Sequence, residues 1–289
     1  MGYIGACTAR GAASPNTIAA YRTGIEAHLR WCAGRRVDPR ICARADIENW
    51  RGDMLASGAS AGTVMLRLAA ARTLYKALQR AGIRPDNPAE YVKSPRADEA
   101  PVDRVMRKIV LPEKMAAVLS AFGMDYRDRR DRVIILTLYL LGLRVSEVAG
   151  LNWNHWQGET LEFTAKGRQK RSLTVPEPLK EAFTSLKSMT SWEGPMFCAK
   201  GGRMSIRGIQ KMVNTRLEAA GLENTGRGTR SPHAMRHSCA SAAAISGANA
   251  YAIQDQMGHS SQRTTSIYTR VAGRFHDAPS MVISKAMGF

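Results

Sequence analysis

The stretch SPHAMRHSCASAAAISG at residues 231–247 predicts a helix that carries histidine and arginine on one face. Ser231 supplies a capping hydroxyl, and Pro232 is favoured at the first helical position. His233 and Arg236 follow three residues apart, so their side chains project from the same side of the helix. One of them can move a proton while the other holds an anionic oxygen. The stretch therefore indicates a site for a phosphate-like group.

A second interpretation of this helix involves His237. It lies four residues after His233, and two histidines at that spacing can bind a metal ion. However, no HExxH glutamate lies between them, and Arg236 beside the site would repel a cation. We therefore expect His237 to be either a histidine whose own hydrogen bonds are satisfied or a donor that hydrogen-bonds a residue of the site. We predict no metal at this position.

The segment GLRVSEVAGL, residues 142–151, places Arg144 at a junction between two predicted helices. An apolar helix ends at Gly142, and Ser146 with Glu147 is expected to cap the next one. A guanidinium at such a fixed point can make bidentate contact with two nonbridging phosphate oxygens. A structural ion pair between Arg144 and Glu147 is the alternative.

The segments QMGHSS (256–261) and TTSIYTRV (264–271) bring a histidine and a tyrosine close together in the sequence. Gly258 ends a predicted helix, so that the imidazole of His259 can point back into a cleft. Tyr268 has an ordinary pKa of about 10, so it needs neighbouring cations if it is to act as a nucleophile. No evident Cys–His pair offers a rival nucleophile.

The segment TAKGRQKRSLTVP, residues 164–176, predicts a β-hairpin with strands at Leu161–Ala165 and Ser172–Val175. Lys166 lies at the turn and Lys170 on its far side. A lysine on the flexible tip of a hairpin can bring a proton to a leaving oxygen. The alternative is that Lys166 is an ordinary solvated residue of the turn. The segment lacks the glycines of a P-loop, so we expect no nucleoside triphosphate.

Helical periodicity dominates the rest of the chain, and Asp46 and Ser60 are predicted to cap the second and third helices. The first helix has its predicted inward face at Ile18, Tyr21, Ile25 and Leu29. This pattern of many helices and one small sheet predicts a mainly α fold of the α+β class. We divide the chain into a tail (1–13), a helical domain (14–93), a linker (94–110), a second domain (111–271) and a C-terminal tail (272–289).

The charge is strongly positive, with a net value of +18 and a pI near 10.2. Up to residue 97 the chain carries 15 Lys and Arg against 7 Asp and Glu, and beyond it 27 against 17. Both parts are basic, which indicates a polyanionic partner that both contact. A membrane surface is a poorer match, because no basic amphipathic run is concentrated in one segment.

The five cysteines are widely spaced, with no CxxC pair and no zinc-ligand spacing. We expect reduced thiols in a cytoplasmic protein, without a cofactor. The N-terminus lacks the pattern of a signal peptide, and the longest apolar run is about half the length of a membrane span. The cysteines are Cys7, Cys32, Cys42, Cys198 and Cys239.

Together these segments resemble the tyrosine recombinase (phage integrase) family. The ordered combination of Arg, Lys, HxxR, GH and Tyr is highly specific, although each motif alone is weak. The resemblance extends over about residues 14–271. It implies a helical domain that binds the core of a DNA site and a catalytic domain that clamps the opposite face of the duplex. About thirteen residues precede the first predicted helix, so we expect a small form without the arm-binding domain of larger integrases.

The resemblance also implies a role for each candidate residue. Tyr268 would attack the scissile phosphate, giving a 3′-phosphotyrosyl link and a free 5′-hydroxyl, while the two arginines clamp the nonbridging oxygens. Lys166, rather than Lys170, would protonate the departing oxygen. His233 would act as general base and then acid, and His259 would steady the transition state. Neither ATP nor a metal is needed. The catalytic set is Arg144, Lys166, His233, Arg236, His259 and Tyr268, supported by Glu147 and His237.

The implied function is a site-specific recombinase of a phage or mobile element, acting in the bacterial cytoplasm on the nucleoid. Four protomers would join two double-stranded DNA sites through a Holliday junction, with a DNA-bending or directionality factor as a candidate partner. A chromosome-dimer resolvase of the same chemistry is the main alternative. A type IB topoisomerase-like enzyme and a non-catalytic DNA-binding regulator follow it. The apolar segment 281–283 would pack on a neighbouring subunit or on its own domain.

Overall fold

The computed structural model of the chain describes residues 15–96, 100–165, 169–222, 231–259 and 261–276, together with positions 284 and 287. The chain divides into two compact units, Met1–Asp98 and Glu99–Phe289. Helices dominate both units, and the described sheets have two strands each. This confirms the predicted mainly α fold with little β-structure. Within the described ranges, no helix is long and apolar enough to cross a membrane.

An irregular segment follows the three helices of the N-terminal unit, which are α1 (Pro15–Arg35), α2 (Arg44–Ala56) and α3 (Ala61–Arg80). Ser60 caps α3 as predicted, because its Oγ accepts the N–H of Thr63 at 3.2 Å. Asp46 is not the cap of α2, so that prediction is wrong. The helix begins two residues earlier, and the Asp46 carboxylate accepts the N–H of Ala43, the true N-cap, at 2.8 Å.

The buried face of α1 is displaced from the predicted one. Of the predicted inward residues, Ile18, Tyr21 and Ile25 are half-buried and Leu29 is exposed, whereas Gly24, His28 and Cys32 are fully buried. Apolar periodicity did not mark the centre of this face because α1 and α3 cross closely. A Cβ placed on Gly24 would lie only 2.7 Å from the Cβ of Ala70 on α3. Such a narrow gap accepts a glycine where a large apolar side chain would not fit.

The C-terminal unit is built around a central buried helix, α6, on which α8, α9 and α10 pack. Its elements are α4 (Pro101–Met106), α5 (Pro112–Ser120), α6 (Tyr126–Leu140), α7 (Val145–Ala149), a 3-10 turn (Trp153–His155), β1 (Thr160–Thr164), β2 (Lys170–Thr174), α8 (Glu177–Lys187), β3 (Cys198–Ala199), β4 (Gly202–Arg203), α9 (Ile206–Ala219), α10 (Pro232–Ile245), α11 (Ala250–Met257) and α12 (Gln262–Ala272).

Part of the predicted linker 94–110 is folded, which corrects that assignment. Helix α4 lies inside it and packs against α12, with Val105 buried. Its partner residues are far away in the sequence, so no local apolar period revealed it. After α4, the N–H of Val110 donates to the Ser238 Oγ on α10 at 2.8 Å. The segment is therefore tied to the helix that carries the candidate site.

The predicted hairpin is present as strands β1 and β2, which pair antiparallel with Thr164 opposite Lys170. Residues 166–168, including Lys166, lie outside the described residues. Below this turn the N–H of Ala165 donates to the carbonyl of Gln169 at 2.8 Å, which closes the loop. A second short sheet, β3 with β4, was not predicted, because two-residue strands carry no period. The apolar segment 281–283 also lies outside the described residues.

The close crossing of α1 and α3 generates a prediction about stability. Gly24→Ala should lower the free energy of unfolding of the full chain by roughly 1–3 kcal/mol, because the new methyl collides with Ala70. Gly52→Ala on α2 is the matched control, since no atom lies near its would-be Cβ. It should stabilise by about 0.5–1 kcal/mol through helix propensity. Urea unfolding followed by circular dichroism measures both, and equal gains in the two variants would contradict the packing.

Candidate active site

The candidate residues come from four places in the C-terminal unit, and the fold brings these places together. Helix α10 carries His233, Arg236 and His237, and Ser231 caps it through the N–H of Ala234 at 3.2 Å. The turn after α6 leads into α7, the turn after α11 carries a histidine, and α12 carries a tyrosine. Helix α10 packs on α6, α11 and α12, so it is the element the others share.

The Arg236 guanidinium is the buried centre of the site, with only 5% of the residue exposed. Its two terminal nitrogens donate to the carbonyl oxygens of Gly142 and Met257. These carbonyls lie just past α6 and at the end of α11, where helix C-termini carry partial negative charge. Burial, and then Arg144, lower the pKa of this guanidinium. The carbonyls therefore hold a buried cation in one fixed orientation.

Gly142 must be glycine for this arrangement to form. Its φ is +63°, a left-handed conformation that side chains rarely adopt. A Cβ there would lie 2.3 Å from the Cε of Met257 and 3.1 Å from the Sγ of Cys239. The turn thus presents its carbonyl to Arg236 while the end of α11 closes over it.

Arg144 is the N-cap of α7, and Glu147, the third residue of this helix, accepts two hydrogen bonds from Arg144. The Arg144 N–H donates to Glu147 Oε2 at 2.7 Å, and Nη1 donates to Oε1 at 2.9 Å. This corrects the expected cap, since Ser146 lies inside the helix. The ion pair that we considered as a structural alternative is present. It leaves 36% of the Arg144 side chain exposed, while Glu147 is buried. The ion pair thus orients a guanidinium that still faces the pocket.

Tyr268 is buried, and its hydroxyl pairs with His237. Only 3% of the tyrosine is exposed, and Oη lies 2.9 Å from the Nδ1 of His237. Burial raises the pKa of Tyr268 to about 12, although the nearby Arg236 pulls it downward. Sequence reasoning gave His237 only a supporting position. The structure places it in direct contact with the tyrosine hydroxyl.

Two further histidines complete the pocket wall. The rings of His233 and His237 meet edge to face at 4.4 Å between centroids. The His259 ring stacks on Tyr268 at 6.0 Å, and its Nδ1 lies 3.0 Å from the Thr265 Oγ1. Desolvation, followed by the cationic side chains of Lys108, Arg236 and Arg144, lowers the pKa of His233, which keeps one side open to solvent.

Desolvation also lowers the pKa values of His237 and His259 to about 4. After desolvation, neighbouring His233, Lys108, Arg236 and His259 contribute to the shift of His237, and the two arginines to that of His259. Both imidazoles are therefore neutral at pH 7. A neutral imidazole can accept a proton, which a charged one cannot.

The structure thus brings five of the six predicted catalytic residues into one cluster. Lys166 lies outside the described residues, and Lys170 is exposed at the start of β2. Sequence reasoning missed Lys108 and Thr265. Lys108 fell within the predicted linker and no motif marked it. Thr265 is one of several hydroxyl residues before Tyr268, and only its buried contact with the imidazole distinguishes it. The gathered residues are Arg144, His233, Arg236, His259 and Tyr268.

Comparison with known proteins identifies the family of this chain. The sequence pattern of the Phage integrase family matches residues 108–274, more than half of the chain. The chain belongs to this family. A second pattern, described as Phage integrase, N-terminal SAM-like domain, matches residues 5–82. Among curated relatives of the family, tyrosine recombinase XerC of Pseudomonas fluorescens is 30% identical over 268 residues. That match covers 89% of this chain and 86% of the relative.

Two solved structures of other family members share the fold. The XerH site-specific recombinase, bound to its palindromic difH substrate, matches with a TM-score of 0.72 at 16% identity, covering 94% of this chain and 79% of that one. The Tn1549 transposon integrase, in complex with transposon right end DNA, matches with a TM-score of 0.70 at 20% identity, covering 97% and 96%. At these identities the likeness shows the architecture.

The neutral histidines make the stability of this unit sensitive to acid. The pKa of His237 is about 4 in the folded chain against 6.5 in water, so the unfolded chain binds more protons between these values. Stability should fall as the pH drops from 6.5 to 4, with His237 accounting for up to about 3 kcal/mol. Urea unfolding at several pH values tests this. His237→Gln should flatten the dependence, whereas the exposed-histidine control His276→Gln should not. Identical pH profiles for all three proteins would contradict it.

Proposed function

We propose that this protein is a site-specific DNA recombinase that cuts and rejoins DNA through a covalent link between Tyr268 and a 3′-phosphate. The observation that carries the proposal is the buried Tyr268 hydroxyl, 2.9 Å from a neutral imidazole and electrostatically coupled to Arg236. Membership of the phage integrase family and the net charge of +18 support it. Phosphoryl transfer needs the elements of this site, namely a nucleophile beside a base and fixed cations.

In the proposed cleavage step, the Tyr268 oxygen attacks the scissile phosphorus, and the bond from phosphorus to the 5′-oxygen breaks. The phenolic proton passes to His237, whose Nδ1 already lies beside Oη. This differs from our expectation that His233 is the first acceptor. The His233 ring contacts His237 edge to face, so the charge state of His233 influences the basicity of His237. The phosphodiester energy stays in the tyrosyl ester, so the reverse attack by a 5′-hydroxyl rejoins a strand.

The two arginines are proposed to bind the nonbridging oxygens. Two of the five N–H donors of Arg236 are used by carbonyls, which leaves others for phosphate. Arg144 is tied through Nη1 to Glu147 and has its remaining donors available to the pocket. An incoming phosphate would also counter the repulsion between these cations. It would stabilise a protonated histidine and so assist proton removal from the phenol.

Lys166 remains the proposed donor of the proton to the 5′-oxygen, with Lys170 the lesser candidate. Lys170 lies opposite Thr164 at the start of β2 and is exposed. His259, stacked on the tyrosine and held by Thr265, is proposed to stabilise charge on the phosphate. In this assignment the hairpin supplies the lysine that protonates the leaving group, while α10 supplies the base and α12 supplies the nucleophile.

Tyr268→Phe tests the nucleophile. With a nicked suicide DNA substrate, the wild-type protein should accumulate a covalent adduct that survives denaturing gel electrophoresis, and Tyr268→Phe should form none. DNA binding should be retained, because only one hydroxyl is lost. Tyr251→Phe is the matched control, since Tyr251 is 70% exposed on α11, and it should behave as wild type. Adduct formation by Tyr268→Phe would show that another residue is the nucleophile.

Lys166→Ala tests the proton donor. Cleavage of ordinary DNA should slow by about 10²–10⁴-fold, the usual contribution of a general acid. A substrate with sulfur in place of the bridging 5′-oxygen should restore the rate, because a thiolate leaves without protonation. Lys170→Ala, on the same hairpin, should show neither the loss nor the rescue. The opposite pattern would transfer the role to Lys170, and a loss without rescue would remove Lys166 from the leaving-group step.

The biological setting has two candidates within this chemistry, both with four protomers joining two DNA sites through a Holliday junction in the bacterial cytoplasm. The likeness to the Tn1549 transposon integrase favours an integrase of a mobile element. The 30% identity to a XerC recombinase favours a chromosome-dimer resolvase. An attachment site in the DNA flanking the gene would identify the first. A single chromosomal site whose loss leaves dimers unresolved would identify the second.

A further inference from the structure

The N-terminal unit contains a second cluster of chemically reactive side chains, far in the sequence from the candidate active site. His28 and Cys32 lie one turn apart on α1, and Cys42 lies in the turn before α2. All three are almost completely buried. One potential ligand atom from each lies within 4.8 Å of the others. Tyr75 of α3 borders the cluster, and its hydroxyl is 2.6 Å from the Nε2 of His28.

The spacing within the cluster is close to that of a metal site. A tetrahedral zinc ion binds cysteine sulfur at about 2.3 Å and histidine nitrogen at about 2.0 Å, so bound sulfur and nitrogen lie roughly 3.5 Å apart. The Sγ of Cys32 lies 3.5 Å from the Nε2 and 3.9 Å from the Nδ1 of His28. Small side-chain rotations are sufficient to surround an ion. The set of two thiols and an imidazole is one that zinc prefers over magnesium or calcium.

Tyr75 supplies the outer hydrogen bond that metal-binding histidines usually have. With Nε2 donating to the Tyr75 hydroxyl, the lone pair of Nδ1 is available to an ion. Tyr75 is itself fully buried, so its hydroxyl holds the imidazole in one orientation. This is the arrangement that fixes ligand orientation around a metal.

The charges around the cluster match a bound divalent cation. The Arg84 guanidinium lies over the Tyr75 ring and donates to the Cys42 carbonyl at 3.0 Å, so a positive charge borders the Cys42 end of the cluster. The Asp46 carboxylate is close enough to influence both cysteines and His28. Two thiolates would neutralise Zn²⁺, Arg84 is already paired with Asp86 at 2.8 Å, and Asp46 is only partly buried at the start of α2. No uncompensated charge would then remain in a buried region.

We propose that His28, Cys32 and Cys42 form a buried zinc site in the N-terminal unit. The ion would connect α1 to the turn before α2, and through Tyr75 to α3, so it would stabilise the unit rather than take part in DNA cleavage. A water molecule or the Tyr75 hydroxyl would fill the fourth position. Sequence reasoning rejected zinc because no short cysteine pair exists. That criterion does not detect a site in which two ligands lie at positions i and i+4 of a helix and the third lies in a turn.

Metal content and cobalt spectroscopy of the full-length protein, freed of any affinity tag, test the site. Protein purified without chelator should contain stoichiometric zinc, and its melting temperature should fall when a chelator removes the metal. Cobalt(II) added to the metal-free protein should produce a thiolate-to-metal charge-transfer band. Tyr75→Phe should weaken zinc binding by about 10–100-fold, since it removes only the outer hydrogen bond.

The double variant Cys32→Ser/Cys42→Ser should lose the cobalt band and the zinc. Cys198→Ser, which changes a thiol in the other unit, should retain both and serves as the matched control. The wild-type measurements stand even if the double variant folds poorly. A wild-type protein that binds neither zinc nor cobalt would overturn the proposal, as would a cobalt band that persists in the double variant. A metal-free wild type with a Cys32–Cys42 disulfide would overturn it equally.

Discussion

The geometry of the candidate site depends on one buried cation, the Arg236 guanidinium, and on the two backbone carbonyls that hold it. These oxygens, from Gly142 and Met257, are left unpaired by helices that end at this point. The positive charge of Arg236 compensates the partial negative charge of both helix ends, and the two carbonyls fix the orientation of the guanidinium. Because Gly142 can adopt a left-handed conformation, the chain turns sharply enough to deliver its carbonyl and then Arg144 to the same pocket. The fold and the anion site therefore have a common origin.

A cluster of positive charge also determines the protonation of its neighbours. Burial and the arginines keep His237 and His259 neutral, so the tyrosine hydroxyl faces a base rather than a competing cation. The same burial keeps Tyr268 protonated in the absence of DNA. Binding of a phosphate reverses part of this balance, since its negative charge favours protonated imidazole. In the proposed mechanism the substrate itself thus activates the nucleophile, which limits reaction at other times.

Several features fixed by local interactions were predictable from the sequence, although the caps expected at Asp46 and Ser146 lie at Ala43 and Arg144, and features fixed by distant contacts were not. The cap at Ser60 and the start of α10 at Ser231 depend on residues within one helical turn. Helix α4 forms where Val105 meets the buried surface of α10 and α12, so its own sequence gave no sign of it. The buried face of α1 likewise depends on how close α3 approaches. Motif order predicted the candidate site residues, but only packing showed that His237 contacts the tyrosine.

The hairpin and the end of α11 are joined by Arg171 of β2, which donates to the carbonyls of Asp255 and Gln256. The base of the hairpin is thereby anchored to the helix end that precedes His259. Ala165 and Gln169, the described residues that flank the turn, are joined by a backbone hydrogen bond of 2.8 Å. Strand β2, the end of α11 and the turn that carries His259 therefore form one mechanically continuous unit. A displacement of the hairpin base would be transmitted to the imidazole through a single side chain, which makes Arg171 a mechanical link between two segments that are far apart in the sequence.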